Sequence, residues 1–427
     1  MKRNKVVIVG AGFGGLTLAC KLNGSTYRVL LLDRFNHHQF QPLLYQVAMA
    51  GLEPSSVSFP LRAIFQGSPN VRVRLAEVNE VVPEQQLIKT TDGDFEYDFL
   101  VLACGARTNF FNNPALEQHA WSLKSTSDAI ALRQHLLLML EQADTATEEE
   151  IRSLLTIVIA GGGPTGAELA GALAELRRHV LWKDYPELNA SMMRIVLVEA
   201  SDRLLGGMSL NSSQAAFRYL TRMGVEVLTG VRLSGYDGHV VQLSNGATIN
   251  TKTLIWTAGI TANVVNGINL SEKAPGNRIR VDAYCRMIGN ESIYVIGDLA
   301  FLQTPRFPNG LPQVAPVAIA QARQVAANLL RMAKGRAPKP FHYRHKGSMA
   351  TIGKHKAVID FPWFRMQGGL AWFVWMAVHL ITLMGMKNKL FVFINWVIAY
   401  FTNDSTLRLI FTPASQKTWD KKQKPPP

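Results

Sequence analysis

Glycines and carboxylates recur in this chain at spacings suited to gripping a dinucleotide. Gly10-Ala-Gly12-Phe13-Gly14-Gly15 follows the apolar run Val6–Val9, and Asp33 closes the next apolar run. Gly161-Gly-Gly163-Pro164-Thr165-Gly166 follows Ile157–Ala160, and Glu199 closes the run from Arg194. In such a turn the first glycine permits a tight bend, the second admits a pyrophosphate, and the third lets the helix pack on its strand. The helix amino terminus adds partial positive charge, and the acid accepts hydrogen bonds from an adenosine ribose diol. One such turn is a weak signal, because glycine-rich strand-to-helix turns also occur where nothing binds. Two of them, about 150 residues apart and each with its own acid, imply two dinucleotides on one polypeptide. That combination points to electron transfer between a flavin and a nicotinamide.

Two more acids stand where chemistry is possible. Ile293–Ile296 runs into Gly297-Asp298 and then small residues expected to open a helix, where a carboxylate can accept hydrogen bonds from a sugar-alcohol chain. An ordinary turn with an aspartate cap is the alternative there. Glu168 lies in the first turns of the second glycine-turn helix. It could orient a nicotinamide or relay a proton, or simply be a carboxylate favoured by the helix dipole.

The elements that position these residues follow from hydropathy. Lys5–Val9, a helix over Gly14–Leu22 and Arg28–Leu32 make a first βαβ half. Residues 70–91 suggest an antiparallel excursion, and Asp98–Ala103 returns to a buried strand. A second half is followed by strands near Val225–Leu228, Val240–Leu243 and Thr253–Trp256 and a late helix over Val317–Leu330. The acidic stretch Glu141–Glu150 reads as an exposed connector. Leu102-Ala103-Cys104-Gly105 and Trp256-Thr-Ala258-Gly259 are matching strand ends in small residues, suited to a chain crossing between domains beside a ligand.

The last third is different. Leu370–Met386 is an uncharged apolar run of about 17 residues, Lys387-Asn-Lys389 interrupts it, and Leu390–Phe401 adds about 12 more. The first is at the lower edge of a membrane span and the second is too short. Trp363, Trp372, Trp375, Trp396 and Tyr400 suit a headgroup boundary, and Arg365, Lys387, Lys389, Arg408 and the tail from Lys417 to Lys424 would attract anionic lipid. The expectation is helices lying in one leaflet's interface, with a dimer interface or buried core as the alternative. His379 inside the first run reads as a partnered histidine rather than a metal ligand.

Composition narrows the class. A chain of 427 residues with a formal charge of +14 can build two or three cores and attract polyanions. Its basic residues cluster beside apolar runs rather than on a base-reading helix, which argues against nucleic acid. Cys20, Cys104 and Cys285 form no CxxC and no metal spacing. Cys20 and Cys104 read as small core residues, and a reducing compartment is expected. The amino terminus does not read as a signal peptide, because the apolar run ends at the glycine turn.

Taken with the segments Asn36–Ala48 (including Pro42-Leu-Leu-Tyr45-Gln46), Gly161–Gly171, Ile296–Asp298, Lys346–Gly353 and Arg408-Leu-Ile410, the chain resembles the type II NADH dehydrogenases over nearly its whole length. The resemblance implies an α/β fold with two Rossmann-like dinucleotide-binding domains and a carboxyl-terminal, membrane-associating helical region. It places FAD on a discontinuous domain of residues 1–110 and 280–345, NADH on 111–279, and the quinone site and membrane anchor on 346–427. Family matching would assign FAD to Gly10, Gly12, Phe13, Gly14, Gly15, Asp33, Arg34, Gln46, Ala103, Gly105, Gly297 and Asp298. It would assign NADH to Gly161, Gly163, Pro164, Thr165, Gly166, Glu199, Ala258 and Gly259. Glu168 is the acid near the flavin–nicotinamide meeting point, and Gln46, Pro316, Ala320, Lys346 and Met349 would line a quinone pocket, with no metal. The implied protein passes hydride from NADH to FAD and electrons to a membrane ubiquinone or menaquinone, without pumping protons. It would sit peripherally on the cytoplasmic face of the inner membrane, against anionic phospholipid, with a homodimer open.

Two departures from the family pattern stand out. The motif Ala-Gln-x-Ala-x-Gln is replaced by Ala315-Pro316-Val-Ala-Ile-Ala320 followed by Gln321, which is one position late and about 100° around the helix. Gly163 and Glu199 are 36 positions apart, against a usual ~20. Glu199 would repel a 2′-phosphate and so favour NADH over NADPH, although Arg203 nearby could offset it. Disulfide reductases and sulfide:quinone oxidoreductases need a cysteine pair that this sequence does not place near the flavin, and a soluble ferredoxin reductase has no use for the Trp-rich end. A non-catalytic flavin and NADH sensor, or a membrane-docked interaction protein, is the competing class.

Overall fold

The computed structural model describes residues 4–268, 274–402 and 407–410. The basic segment from Lys417 to Lys424 lies outside the described residues. The elements that carry the argument begin with β1 (Lys5–Val9), α1 (Phe13–Leu22), β2 (Arg28–Asp33), α2 (Leu44–Ala48), β3 (Val71–Leu75) and β4 (Phe99–Leu102). Next come β5 (Thr156–Ala160), α3 (Pro164–Leu176), β6 (Arg194–Glu199), α4 (Leu210–Arg222), β7 (Glu226–Thr229) and β8 (Thr253–Trp256). The chain continues through β9 (Ile293–Val295), α5 (Ala315–Met332), β10 (Ser348–Thr351), β11 (Ala357–Asp360) and β12 (Arg365–Gly368). It then forms α6 (Gly369–Thr382) and α7 (Met386–Thr402).

One compact unit comprises residues 1–39, 58–107 and 260–345. Its sheet runs β9-β4-β1-β2-β3, every pair parallel. β1, β2 and β4 are near-continuous runs of Val, Leu and Ile because helices cover both faces of a parallel sheet. β3 alternates buried Val71 and half-buried Val73 with exposed Arg72 and Arg74, as an edge strand does. This corrects the expected excursion. Val71–Leu75 belongs to the parallel sheet, and only Val78–Val82, Leu87–Thr90 and Gly93–Glu96 form the antiparallel excursion.

The other unit comprises residues 40–57, 108–259 and 346–427. Its parallel sheet runs β7-β6-β5-β8, and a three-stranded antiparallel sheet β10-β11-β12 leads into α6 and α7. The wide spacing between Gly163 and Glu199 has a local cause. α3 continues into a π-helical turn at Arg177–Leu181 and a short turn at Trp182–Asp184 before β6. Val180, Leu181, Leu188 and Met193 bury that insertion against its own unit.

Among the described residues no helix is long and apolar enough to cross a membrane. α6 and α7 expose a broad apolar face that includes Leu370, Ile381, Leu390 and Phe401, the last at 76% exposure. Trp372, Trp375 and Trp396, expected at a headgroup boundary, are instead buried inside their unit, Trp375 to 1% exposure. Trp363 and Tyr400 do remain exposed. Two of the basic residues expected to face lipid are engaged within the protein. Arg408 pairs with Asp184 at 2.5 Å, and Lys389 donates to the Ile381 carbonyl. Cys20 is exposed rather than a core residue, because Leu16, Ala19 and Leu22 take the inward face of α1.

Candidate functional site

Each unit carries one glycine turn, and the two are built alike. Gly10 has φ +98°, and a Cβ there would lie 2.4 Å from the Ala103 carbonyl oxygen. Gly161 has φ +106°, and its Cβ would lie 2.7 Å from Ala258. A Cβ on Gly15 or Gly166 would strike the carbonyl oxygen of Gly10 or Gly161 at 1.8 and 1.9 Å, so helix and strand touch there. Gly12 and Gly163, in contrast, have nothing within 4 Å of an added Cβ. Each is an N-cap with no side-chain capping bond, so the first-turn amides of α1 and α3 receive no side-chain acceptor from the cap residue. Three other helices of the second unit begin on Asn113, Ser125 and Ser209 caps, while α2 and α6 have no side-chain cap. Two uncapped amino termini, each with room beside its second glycine, fit diphosphate groups.

The acids tie these turns down. Asp33 accepts from the Ala11 amide at 2.6 Å and the Phe35 amide at 2.7 Å, and burial pushes its pKa up against those bonds. Glu199 accepts from the Gly162 amide at 2.6 Å and from the Ser201 amide at 2.7 Å. Both Asp33 oxygens and Glu199 Oε2 keep a lone pair for a ribose hydroxyl, whereas Glu199 Oε1 also accepts from the Ser201 hydroxyl. Arg203 is committed to the carbonyls of Gly206 and Met208, which weakens it as a receptor for a 2′-phosphate.

Around the first turn, Phe13 packs edge-on against His38, whose Nδ1 bonds the Ala11 carbonyl, and Arg34 lies over the Phe35 ring. Gly14 lets α1 approach Ile296, and Gly105 adopts φ +67° beyond β4. Gly297-Asp298 does not open a helix as expected. It forms one 3-10 turn, Gly297–Leu299, followed by the short strand Ala300–Phe301, and α5 begins only at Ala315. Gln321 is buried and accepts from the Gly297 amide at 2.8 Å, so it supports this turn. Gln313 donates to the Asp298 carbonyl. Pro316 and Ala320 lie on α5 in this same unit.

In the second unit Pro164 and Thr165 form the exposed first turn of α3, and Gly259 sits against Phe111. Glu168, one turn further on, is buried within its unit. Gly171 explains its setting, since a Cβ there would lie 2.4 Å from the Gly353 amide nitrogen. That close approach presses the end of β10 onto α3 and aims the Thr351 amide at Glu168 Oε1, 3.4 Å away. Burial raises the Glu168 carboxyl to about pH 8, opposed by Thr351 and by Trp375. The buried Trp375 indole nitrogen lies near that carboxyl but does not reach hydrogen-bond geometry with it or with any other described residue. Gln46 on α2 joins the cluster through Tyr45 and Trp396. Met349 is two residues before Thr351 on β10, and Lys346 just precedes the strand. His379 donates Nδ1–H to the Trp375 carbonyl, stacks on that indole, and is lowered to about pH 4 by burial. Tyr45, Thr351, Trp375 and Trp396 were not among the sequence-derived site residues, although Tyr45 and Thr351 lie inside quoted motifs.

Comparison with known proteins then decides the family. Residues 4–322 match the pyridine nucleotide-disulphide oxidoreductase model, and residues 345–403 match the NDH2 C-terminal domain. The type II NADH:quinone oxidoreductase Ndh of Mycobacterium tuberculosis is 33% identical over 418 residues, covering 94% of this chain and 89% of that protein. The chain belongs to the type II NADH:quinone oxidoreductases. NDH2 of Plasmodium falciparum, solved in complex with NADH, shares the fold with a TM-score of 0.87 at 20% identity, covering 96% of this chain and all of that one. A sulfide:quinone oxidoreductase from Aquifex aeolicus is a more distant fold relative, with a TM-score of 0.72 at 18% identity and 94% and 96% coverage. The three cysteines are free: Cys20 is exposed, Cys285 is buried and Cys104 is intermediate.

Proposed function

We propose that this type II enzyme is a membrane-associated NADH:quinone oxidoreductase that takes hydride from NADH and delivers two electrons to a membrane quinone without pumping protons. The observation that carries the reading is the pair of open, uncapped glycine cradles, one in each unit, with Asp33 and Glu199 beside them. FAD, when bound, supplies the two-electron relay. In this reading Gly10, Gly12, Phe13, Gly14, Gly15, Asp33, Arg34, Ala103, Gly105, Gly297 and Asp298 hold that cofactor. Gly161, Gly163, Pro164, Thr165, Gly166, Glu199, Ala258 and Gly259 orient NADH. Glu168, neutral at pH 7 because burial disfavours its charge, holds a proton at its carboxyl for delivery to the quinone oxygens. Gln46, Lys346 and Met349 line the quinone site.

The exposed faces of α6 and α7, with Lys387 beside them, support attachment to one leaflet of an anionic bilayer, on the cytoplasmic face. The quinone is a ubiquinone or menaquinone. Proteoliposomes carrying an internal pH dye test the whole reading. NADH oxidation dependent on a lipid quinone, with no change of internal pH, is expected. Stable binding of NADH with no quinone reduction would favour a redox sensor instead. Size measurement of the detergent-solubilised protein decides whether a homodimer forms on the same apolar faces.

A further inference from the structure

We infer that Trp396 is a positioning residue for the quinone half-reaction, acting through a chain of hydrogen bonds from α7 to the strand that contacts Glu168. The inference rests on the quinone oxidoreductase reading above. The Trp396 indole nitrogen donates to Gln46 Oε1 at 2.8 Å, Gln46 Nε2 donates to the Tyr45 hydroxyl oxygen at 2.9 Å, and that hydroxyl lies 3.0 Å from Thr351 Oγ1. The Thr351 amide reaches Glu168.

The polarity of this chain follows from the chemistry of its first member. An indole N–H can only donate, so the Gln46 carbonyl oxygen faces Trp396 and its NH₂ group faces Tyr45. Tyr45 therefore accepts from Gln46, and either its hydroxyl or that of Thr351 donates across the 3.0 Å contact between them. That contact anchors the side chain of the same residue whose amide addresses the Glu168 carboxyl. Tyr45 and Thr351 are both buried, so each bond is shielded from water and strengthens its neighbours. Trp396 itself is packed beside Trp375 at a ring separation of 5.8 Å, and it sits on the helix whose other faces expose Leu390, Phe391 and Phe401. Seating of α7 thus sets the amide orientation of Gln46, and through Tyr45 the placement of Thr351 against Glu168. Without the indole donor the Gln46 amide can turn over, Tyr45 loses its bond from Gln46, and Thr351 is held less firmly with its amide on Glu168. Ionisation of Glu168 then loses support and moves to higher pH.

Trp396→Phe removes the donor and keeps an aromatic ring, and Gln46→Leu breaks the next link. In anaerobic rapid mixing, Trp396→Phe is expected to leave reduction by NADH at the wild-type rate. Reoxidation by a short-chain quinone should slow about five- to twentyfold, with the alkaline limb of its pH profile moved up by about half a unit or more. The near-ultraviolet circular dichroism of Trp375, beside Glu168, should titrate at a correspondingly higher pH, a readout independent of turnover. The double variant should be no slower than the slower single, because both act on one path. Unchanged reoxidation and unchanged pH midpoints in Trp396→Phe, or losses that multiply in the double variant, overturn the inference. Failure of the unaltered protein to reduce any quinone would instead remove the oxidoreductase reading beneath it.

Discussion

The two glycine turns are the same device built with different acids, and the difference is legible in one neighbouring residue. Asp33 reaches the amide of Ala11, whereas Glu199 reaches the amide of Gly162 at the same place in its turn. A Cβ on Gly162 would lie 2.5 Å from Leu204 Cδ2 and 3.0 and 3.1 Å from Glu199 Cβ and Cγ. Leu204 first, and the acid's stem second, therefore set glycine at this place, where the first turn carries Ala11.

The comparison also separates glycines that serve the fold from glycines that serve a ligand. Gly15→Ala and Gly166→Ala push a methyl into a backbone carbonyl, and each is expected to cost more than about 4 kcal/mol and to give insoluble or unfolded protein, checked by thermal melting. Glu168→Gln comes next. The folded state keeps the Glu168 proton up to about pH 8, while the unfolded chain releases it near 4.5, so stability falls as pH rises through that window and levels off above it. The glutamine variant should abolish this fall, which is on the order of 4 kcal/mol at full ionisation, and slow quinone reduction by about a hundredfold. Denaturant melts across pH and single-turnover rates measure the two effects.

Gly12→Ala and Gly163→Ala meet no neighbour, so they should melt like the wild type and yet bind their dinucleotides about tenfold or more weakly. Gly12→Ala should release FAD on dialysis, whereas Gly163→Ala should raise the KM for NADH. Exchange of those two outcomes would reverse the assignment of cofactors to units. The smallest effect concerns the ribose. NADH should exceed NADPH at least tenfold in kcat/KM, about 1.4 kcal/mol, and Glu199→Gln should bring the ratio towards one. Equal efficiency in the unaltered enzyme would remove Glu199 from the ribose site.

Much of this was readable in the sequence because it is local. Strand, turn, helix and closing acid lie within one βαβ unit, and Gly171 and Gly353 already appear in the segments that carry the family resemblance. What was hidden depends on phase or on distance along the chain. Cys20 lies in an apolar helix but on its outer face, since Leu16 and Ala19 point inward and Cys20 is rotated away from that direction. Trp372, Trp375 and Trp396 occur in runs that look uniformly membrane-facing, and only packing within their unit shows which aromatics turn inward. The bond between Trp396 and Gln46 spans 350 residues, beyond the reach of any spacing rule. Gln321, displaced by one position from the family's glutamine, could be read as misplaced, but its actual partner, the Gly297 amide, could not be.

The central claim is that one chain holds a flavin on the Gly10 turn and receives NADH on the Gly161 turn. Sequential anaerobic mixing of the purified protein tests it most directly. NADH should bleach a yellow, stoichiometric flavin within a turnover, and a water-soluble quinone should restore the colour. Protein that purifies colourless and takes up no flavin, or whose flavin NADH leaves oxidised, would contradict it.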